Sequence, residues 1–381
     1  MISAGDASGD PIAAGFVDAL RALRPDTRFV GLGGDAMERA GTEIIVPQRD
    51  VAVAGLVEVV RHLPRILRAK RRLKEALLTE RPELVVLVDT PDFNLPFARD
   101  ARAAGAKVLY YVSPQVWAWR RGRIHTVAER VDRLAVIFPF EVDLYGQTDL
   151  RVDFVGHPSV DRMARVAAEV DRAGARDALG LDARAPLVVL LPGSRRNEIR
   201  RSLPLYLESA RLLHARDGRV NFVLALAQSF DRGRIEAQIG AFGLPGAIRL
   251  DLVQGETHAA IRAADLALAY PGTVTLEVAL LGCPMVSVAT ANPVSVAIAR
   301  KLVRVDHFTL PNQIVGRAVV PELLQEEARP ATIAAELASL LEGTAREAQL
   351  SGLEEVRRRL GDGGSDVKVA AIAAQMLTES P

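Results

Sequence analysis

The sequence predicts an α/β protein of two domains, each a parallel sheet covered by helices, followed by a helical tail. Three observations carry this. First, short apolar runs alternate with amphipathic segments almost throughout: Phe29–Gly31, Leu84–Val88, Val108–Val112, Leu134–Phe138, Leu187–Leu191, Val220–Leu226, Leu266–Ala269 and Met285–Val288. Continuous Val/Leu/Ile runs mark strands buried on both faces, as in parallel sheets under helices. Second, the series stops between about Asp161 and Ala185, a polar helical stretch, and restarts with LVVLLPGS. A boundary is expected near Val160–Asp182. Third, two strand–turn–helix junctions in the second half have the form of phosphate loops. The expected units are a Rossmann-like domain over 1–165, a second over 183–341 and a tail over 342–381. Two such domains facing across a cleft bind ligands at the carboxyl ends of their strands.

The elements follow in chain order. SAGDASGD, Ser3 to Asp10, opens the chain. Only Met1 and Ile2 precede it, so its strand is very short and the natural start is expected a few residues upstream. Gly5 and Gly9 let the backbone bend tightly and approach a ligand. Asp6, Ser8 and Asp10 offer acceptors where the first helix begins, and Gly9 stands among them. Asp10 is placed to cap that helix and Pro11 suits its first turn. Ile12, Phe16, Leu20 and Leu23 share one face up to Pro25. GLGGDAM, Gly31 to Met37, lacks the GxGxxG spacing and reads as a turn.

Arg61 to Lys74 holds Arg61, Arg65, Arg68, Lys70, Arg71, Arg72 and Lys74 and no acid, with Leu63, Ile66, Leu67 and Leu73 between them. The apolar run upstream includes Val53, Leu56 and Val57. A solvated helix face over a core stripe is one explanation. A basic amphipathic helix lying in an anionic membrane interface is the other, and the charge density favours it. VDTPDFN, Val88 to Asn94, puts Asp89 at the carboxyl end of the strongest strand of the first half, where a carboxylate can take a proton from an attacking hydroxyl. Asp92 reads as a loop cap. YYVSPQVWAWRRGR, Tyr110 to Arg123, holds Trp117 and Trp119. It is either a loop that recognises a sugar and a phosphate or aromatic packing.

The second half carries LPGSRRNE, Leu191 to Glu198, and YPGTVTLE, Tyr270 to Glu277. Each follows an apolar run and enters a helix. A helix N-terminus presents unpaired N–H groups and partial positive charge, which suits a phosphate. Two such termini, one bearing Arg195 and Arg196, suggest a diphosphate on a sugar or nucleoside. Gly193, Ser194, Arg195, Gly272 and Thr273 are the candidate contacts. Either loop is otherwise an ordinary turn of a parallel sheet. The tail breaks at Gly361–Ser365. Its last helix carries Val369, Ile372 and Met376 at helical spacing, a stripe that must pack on the first domain or on a second protomer; a dimer interface is the expectation.

Composition narrows the function. The 381 residues suffice for about two domains. Lys and Arg total 48 against 47 Asp and Glu, so the overall field gives no reason to expect nucleic acid. One cysteine, Cys283, excludes an internal disulfide and a cysteine-rich metal site, and its apolar setting reads as reduced core. The six histidines show no metal spacing. No apolar run reaches the roughly 18 residues of a membrane-spanning helix.

In order along the chain, AGDASGD, GLVEVV, DTPDFN, YYVSPQVWAWR, FPFE, VGHP, LLPGSR, the Gly-Thr…Leu-Glu segment, KLV, LPN and ELLQEE resemble the lipid-A-disaccharide synthases, a family of bacterial glycosyltransferases. The resemblance implies a two-domain glycosyltransferase fold of the B type. It implies joining UDP-2,3-diacylglucosamine to 2,3-diacylglucosamine 1-phosphate through a β-1′,6 linkage with release of UDP, without a cofactor or metal. It implies a cytoplasmic protein peripheral on the anionic inner-membrane surface, and a homodimer. Asp89 then acts as base, Arg195 meets the diphosphate, Glu277 holds the ribose hydroxyls and Asn312 of LPN lies near the nucleotide. The family usually has Glu where this chain has Asp6, a side chain one methylene shorter. The competing readings are a sugar-nucleotide epimerase of the same fold and a non-catalytic glycolipid carrier.

Overall fold

A computed structural model describes residues 1–51, 56–117, 122–292 and 306–379, with side chains at all of these but 56–61. Val53 and Trp119, and the side chains of Leu56 and Val57, lie outside the described residues. The chain divides into two compact units, Met1–Pro158 with Asp362–Pro381, and Ser159–Gly361. The division falls just before the expected linker. The tail does not form one unit: it splits at Gly361, whose φ of +77° suits glycine.

The first unit is a seven-stranded, wholly parallel sheet. Its strands are β1 (Ile2–Ala4), β2 (Val30–Gly33), β3 (Glu43–Pro47), β4 (Leu84–Val88), β5 (Lys107–Tyr111), β6 (Arg133–Val136) and β7 (Arg151–Phe154), in spatial order 3-2-1-4-5-6-7. The second is a six-stranded parallel sheet of β8 (Leu187–Leu191), β9 (Asn221–Leu226), β10 (Leu250–Gln254), β11 (Leu266–Ala269), β12 (Met285–Ala289) and β13 (Glu322–Leu324), in order 10-9-8-11-12-13. In each sheet the chain runs outward from the first strand, then returns to pair its other side. The turning points lie between β1 and β4 and between β8 and β11. Such points leave the carboxyl ends of two adjacent strands open to a ligand.

The predicted strands are all present, shifted by a residue or two at their ends. β3, β7, β10 and β13 had no signal in the sequence, and all four are sheet edges. Edge strands are covered on fewer sides and carry polar residues, so the continuous apolar run is missing.

The first helix, Gly9–Leu23, buries Ala13, Phe16, Val17 and Leu20, while Leu23 is exposed. Asp10 does not cap it. Its carboxylate accepts N–H groups of Gly34 (2.7 Å), Ala36 (2.9 Å) and Met37 (3.2 Å), so it caps the next helix, Asp35–Arg39, and fixes the GLGGDAM turn. In the second unit Gln349, buried on the Thr344–Leu360 helix, accepts the Met285 N–H at 2.7 Å and donates to the Met285 carbonyl at 3.0 Å. Cys283 is buried, and burial pushes its thiol up to about 12.

The last helix, Ser365–Thr378, packs on the Gly9–Leu23 helix and on β4 and β5. Lys107 Nζ donates to the Met376 carbonyl at 2.7 Å, and Arg133 Nη1 donates to Gln375 Oε1 at 2.7 Å. Val369, Ile372 and Met376 are buried within the chain's own first unit, which corrects the expectation that this stripe forms a dimer interface. Met376, 3% exposed, is therefore a stability residue. Met376→Ala should lower unfolding free energy by about 2–5 kcal/mol, measured by denaturant titration, because the cavity cannot collapse in a packed core. A loss below about 0.5 kcal/mol would contradict this packing.

Candidate active site

The first cluster stands at the β1/β4 turning point. Gly5 follows β1, and a Cβ there would lie 2.8 Å from Thr90 Cγ2, so only glycine lets the two loops pass this closely. Asp6 Oδ1 accepts the Gly9 N–H at 2.7 Å. Ser8 is exposed at the start of the Gly9–Leu23 helix and its hydroxyl makes no capping bond. After β4, Asp89 and Thr90 have φ of +47° and +44°. Two successive non-glycine residues in the left-handed region cost on the order of 1–3 kcal/mol each and persist only where the surroundings over-determine them.

The surroundings do so through Asn94, which is fully buried. Its Nδ2 donates to the carbonyls of Asp89 (2.8 Å), Val88 (3.1 Å) and Ser3 (3.2 Å), and its Oδ1 accepts the Ser3 hydroxyl at 2.7 Å. The Tyr110 hydroxyl donates to the Asp89 carbonyl at 2.6 Å, and the Asp89 N–H donates to the Tyr111 carbonyl at 3.1 Å. The backbone of Asp89 is thus tied at both its N–H and its carbonyl. Its half-buried carboxyl is pushed up to about 6, chiefly by burial and then by the charge of Asp6, against a hydrogen bond from the Thr90 backbone. A carboxylate with that affinity for protons is a better base near neutral pH than an ordinary Asp. Asn94 and Tyr110 sit inside quoted motifs, yet nothing in residue type marked them as holders of a strained backbone.

Beside this cluster the ends of β5, β6 and β7 carry an aromatic group. Trp117 meets Phe140 edge-on with centroids 5.6 Å apart, Phe140 stacks on Phe138 at 5.4 Å, and Phe138 contacts His157 at 5.3 Å. Glu141 lies beneath, 1% exposed, and accepts the Phe138 N–H at 3.0 Å. Burial pushes its carboxyl up to about 8. Asp92, expected as a loop cap, is instead exposed in the first turn of the Pro91–Ala103 helix and pairs with Arg123.

The second cluster stands at the β8/β11 turning point. Gly193 has φ +113°, and a Cβ there would lie 2.6 Å from Glu198 Cβ. Glu198 folds back on the loop: Oε2 accepts the N–H groups of Ser194 (2.9 Å) and Arg195 (3.0 Å), and Oε1 accepts from Arg195 Nη1 at 2.8 Å. Glu198 thus supplies one half of a capping box on the Arg196–Arg216 helix, taking the N-cap N–H, while the Arg195 side chain can only donate. It uses two of the N–H donors expected for phosphate, which the run SRRNE gave no reason to foresee. The Arg195 side chain remains 74% exposed. After β11, Gly272 precedes the Thr273–Leu280 helix. Among the described residues no side chain caps that terminus, and none lies within 4 Å of where a Gly272 Cβ would stand. Of its N–H groups, that of Thr275 donates to the Gly272 carbonyl at 3.1 Å, and the earlier ones carry no side-chain cap among the described residues.

Glu277, in the same helix, is clamped: one oxygen pairs with Arg162 and the other with His258 Nε2 at 3.1 Å. Asn312 is 1% exposed. Its Oδ1 accepts the N–H groups of Val319 (2.7 Å) and Val320 (2.8 Å), and its Nδ2 donates to the Val320 carbonyl and Glu322 Oε1, both at 2.8 Å. Its hydrogen-bonding capacity is filled inside the second unit. Through these bonds Asn312 fixes the turn into β13.

On the Leu56–Glu80 helix, Ala69, Leu73 and Leu77 face the core, whereas Leu63 and Leu67 are 45% and 56% exposed. Arg68, Arg71 and Arg72 are exposed beside them; Arg71 approaches Glu75 at 3.6 Å and Arg72 donates to the Ile45 carbonyl. The sequence stripe is therefore two: a core stripe and a short exposed one. Among the described residues no helix is long and apolar enough to cross a membrane.

Comparison with known proteins bears on these two clusters. The family model described as lipid-A-disaccharide synthetase matches residues 1–375. The lipid-A-disaccharide synthase of Geobacter metallireducens is 44% identical over 378 residues, covering 99% of this chain and 97% of that protein. Among solved structures, a UDP-GlcNAc 2-epimerase from Neisseria meningitidis bound to UDP-GlcNAc superimposes with a TM-score of 0.66 at 10% identity, covering 98% of each chain. The glycotransferase of kitacinnamycin gives 0.65 at 17% identity, covering 99% of this chain and 98% of its own. At such identities these structures establish the shared fold alone, that of the B-type glycosyltransferases and related epimerases.

Proposed function

The chain belongs to the lipid-A-disaccharide synthetase family, and from that premise we propose how its residues carry out the transfer. The donor is UDP-2,3-diacylglucosamine and the acceptor 2,3-diacylglucosamine 1-phosphate. Asp89 takes the proton of the acceptor 6-hydroxyl as that oxygen bonds to the anomeric carbon of the donor. The bond from that carbon to the diphosphate breaks, UDP leaves with its electron pair, and the new linkage is β-1′,6.

Charge developing on the diphosphate is met by the Arg195 guanidinium and by the N-terminus of the Thr273–Leu280 helix, with Gly193, Ser194, Gly272 and Thr273 forming the loops around it. Glu277, held by Arg162 and His258, offers its remaining lone pairs to the ribose hydroxyls. Gly9 and the exposed Ser8 frame the approach to Asp89, and Asp6 raises its basicity. The observation that carries the reading is Asp89 itself: a strained, tied aspartate of raised pKa at the turning point of the first sheet. An epimerase of the same fold needs no acceptor base, and a lipid carrier needs no second phosphate loop. The test is UDP release from the donor with and without acceptor. Release only in the presence of acceptor, matched by disaccharide, supports the transferase; acceptor-independent conversion of the donor refutes it.

Both substrates are acylated, which gives the exposed Leu63, Leu67, Arg68, Arg71 and Arg72 a purpose: contact with an anionic membrane surface, together with Val53, Leu56 and Val57 upstream. Each basic residue near such a surface contributes about 1 kcal/mol. Replacing Arg68, Arg71 and Arg72 together by Glu should therefore lower partitioning onto anionic vesicles by at least about 100-fold in sedimentation, while activity on detergent-dispersed substrate survives. Equal sedimentation of variant and parent would remove this surface from the account.

A further inference from the structure

A cavity of about 350 Å³ opens beside the Leu191–Glu198 loop, between the first turns of the Arg196–Arg216 and Arg232–Phe242 helices. β8 and β9 are neighbours, so both helices start at the same sheet edge. Arg196 and Arg200, one turn apart, line one wall and Arg234 the other. Among the described residues none of these three guanidiniums has an ion pair, whereas their neighbours Arg195 and Arg232 are paired with Glu198 and Glu236. The only acid in the lining, Asp231, accepts the Arg234 N–H at 3.1 Å and caps its own helix. The cavity also has an apolar side, lined by Ile199 and Ile235, 3% and 4% exposed, and by the partly buried Phe230 packed against the same core.

Three uncompensated arginines ask for an anion, and arginine's planar fork suits phosphate oxygens. The apolar side asks for more than a free ion. We propose that this cavity binds a phosphate carried on a lipid. It is separate from the diphosphate contacts at Gly193–Arg195 and Gly272–Thr273. Resting on the transferase reading, one source is the 1-phosphate of the acylated acceptor, which none of the residues above engages. The other source is the headgroup of an anionic membrane lipid.

The test uses Arg200→Ala/Arg234→Ala, leaving Arg196 in place because it adjoins the diphosphate loop. Binding of diacylglucosamine 1-phosphate in neutral detergent is compared with binding of its dephosphorylated form. Sedimentation with phosphatidylglycerol/phosphatidylcholine vesicles and the two Michaelis constants are measured alongside. A tenfold or greater rise in the acceptor constant and dissociation constant, with the donor constant and thermal midpoint unchanged, identifies the acceptor phosphate. A tenfold loss of vesicle binding with acceptor constants unchanged identifies the membrane headgroup. Arg200→Lys/Arg234→Lys should recover part of either effect. The proposal is overturned if neither quantity moves, or if the phosphate-free lipid loses affinity equally. Should the parent protein show no acceptor-dependent UDP release, the transferase reading fails, and the detergent and vesicle measurements still decide this site.

Discussion

Asp89→Asn is expected to lower kcat by roughly two to four orders of magnitude while leaving UDP binding and the thermal midpoint nearly unchanged. Asparagine is the right substitution because it tolerates the left-handed φ of +47° that this position adopts. Alanine would add backbone strain and blur the result. The Asn94 and Tyr110 bonds go to the Asp89 carbonyl, not to its carboxyl, so the variant keeps them. The parent enzyme should also lose activity toward acid with an apparent pKa near 6, because the base must be ionised and its carboxyl is raised from the usual 3.8 to about 6. A variant with near-normal turnover, or an acid limb near 4, would remove Asp89 from this role.

Arg195→Ala is expected to weaken UDP affinity about 10- to 100-fold, the range for a charge-assisted hydrogen bond, and to lower turnover with it. Its structural cost should be small. The pair with Glu198 is 74% exposed on the arginine side, and exposed pairs contribute about 0–1 kcal/mol. Arg195→Lys should recover little, since a point charge cannot grip two oxygens at once. Calorimetry that gives parental UDP affinity for Arg195→Ala would show that the Leu191–Glu198 turn only caps its helix through Glu198.

The sequence carried the buried half of the fold and little of its rim. β4, β8 and β11 are read residue for residue because burial on both faces forces an unbroken apolar run. β3, β7, β10 and β13 are edges, and no such constraint acts on them. The site shows the same division. The positions of Asp89, Arg195 and Gly272 after buried strands are legible, because those strands read as unbroken apolar runs. What tunes them is not legible. Asn94, which ties the Asp89 carbonyl, is itself held by the Ser3 hydroxyl, 91 residues away in the chain. The folding of Glu198 onto the loop depends on a rotamer. Burial of Glu141 depends on aromatic rings brought together from β5, β6 and β7. Asp10 misled because a polar residue beside a glycine looks available, and only the fold shows that backbone N–H groups of the next helix have already used it.

The reaction itself is a single displacement at the anomeric carbon, assisted by one base. The measurement that tests this most directly is the anomeric configuration of the linkage formed from α-linked donor, read by proton NMR on the purified disaccharide product. The account predicts the β anomer alone. An α-linked product would require retention, by double displacement or by same-face attack, and would contradict a single inverting displacement assisted by Asp89.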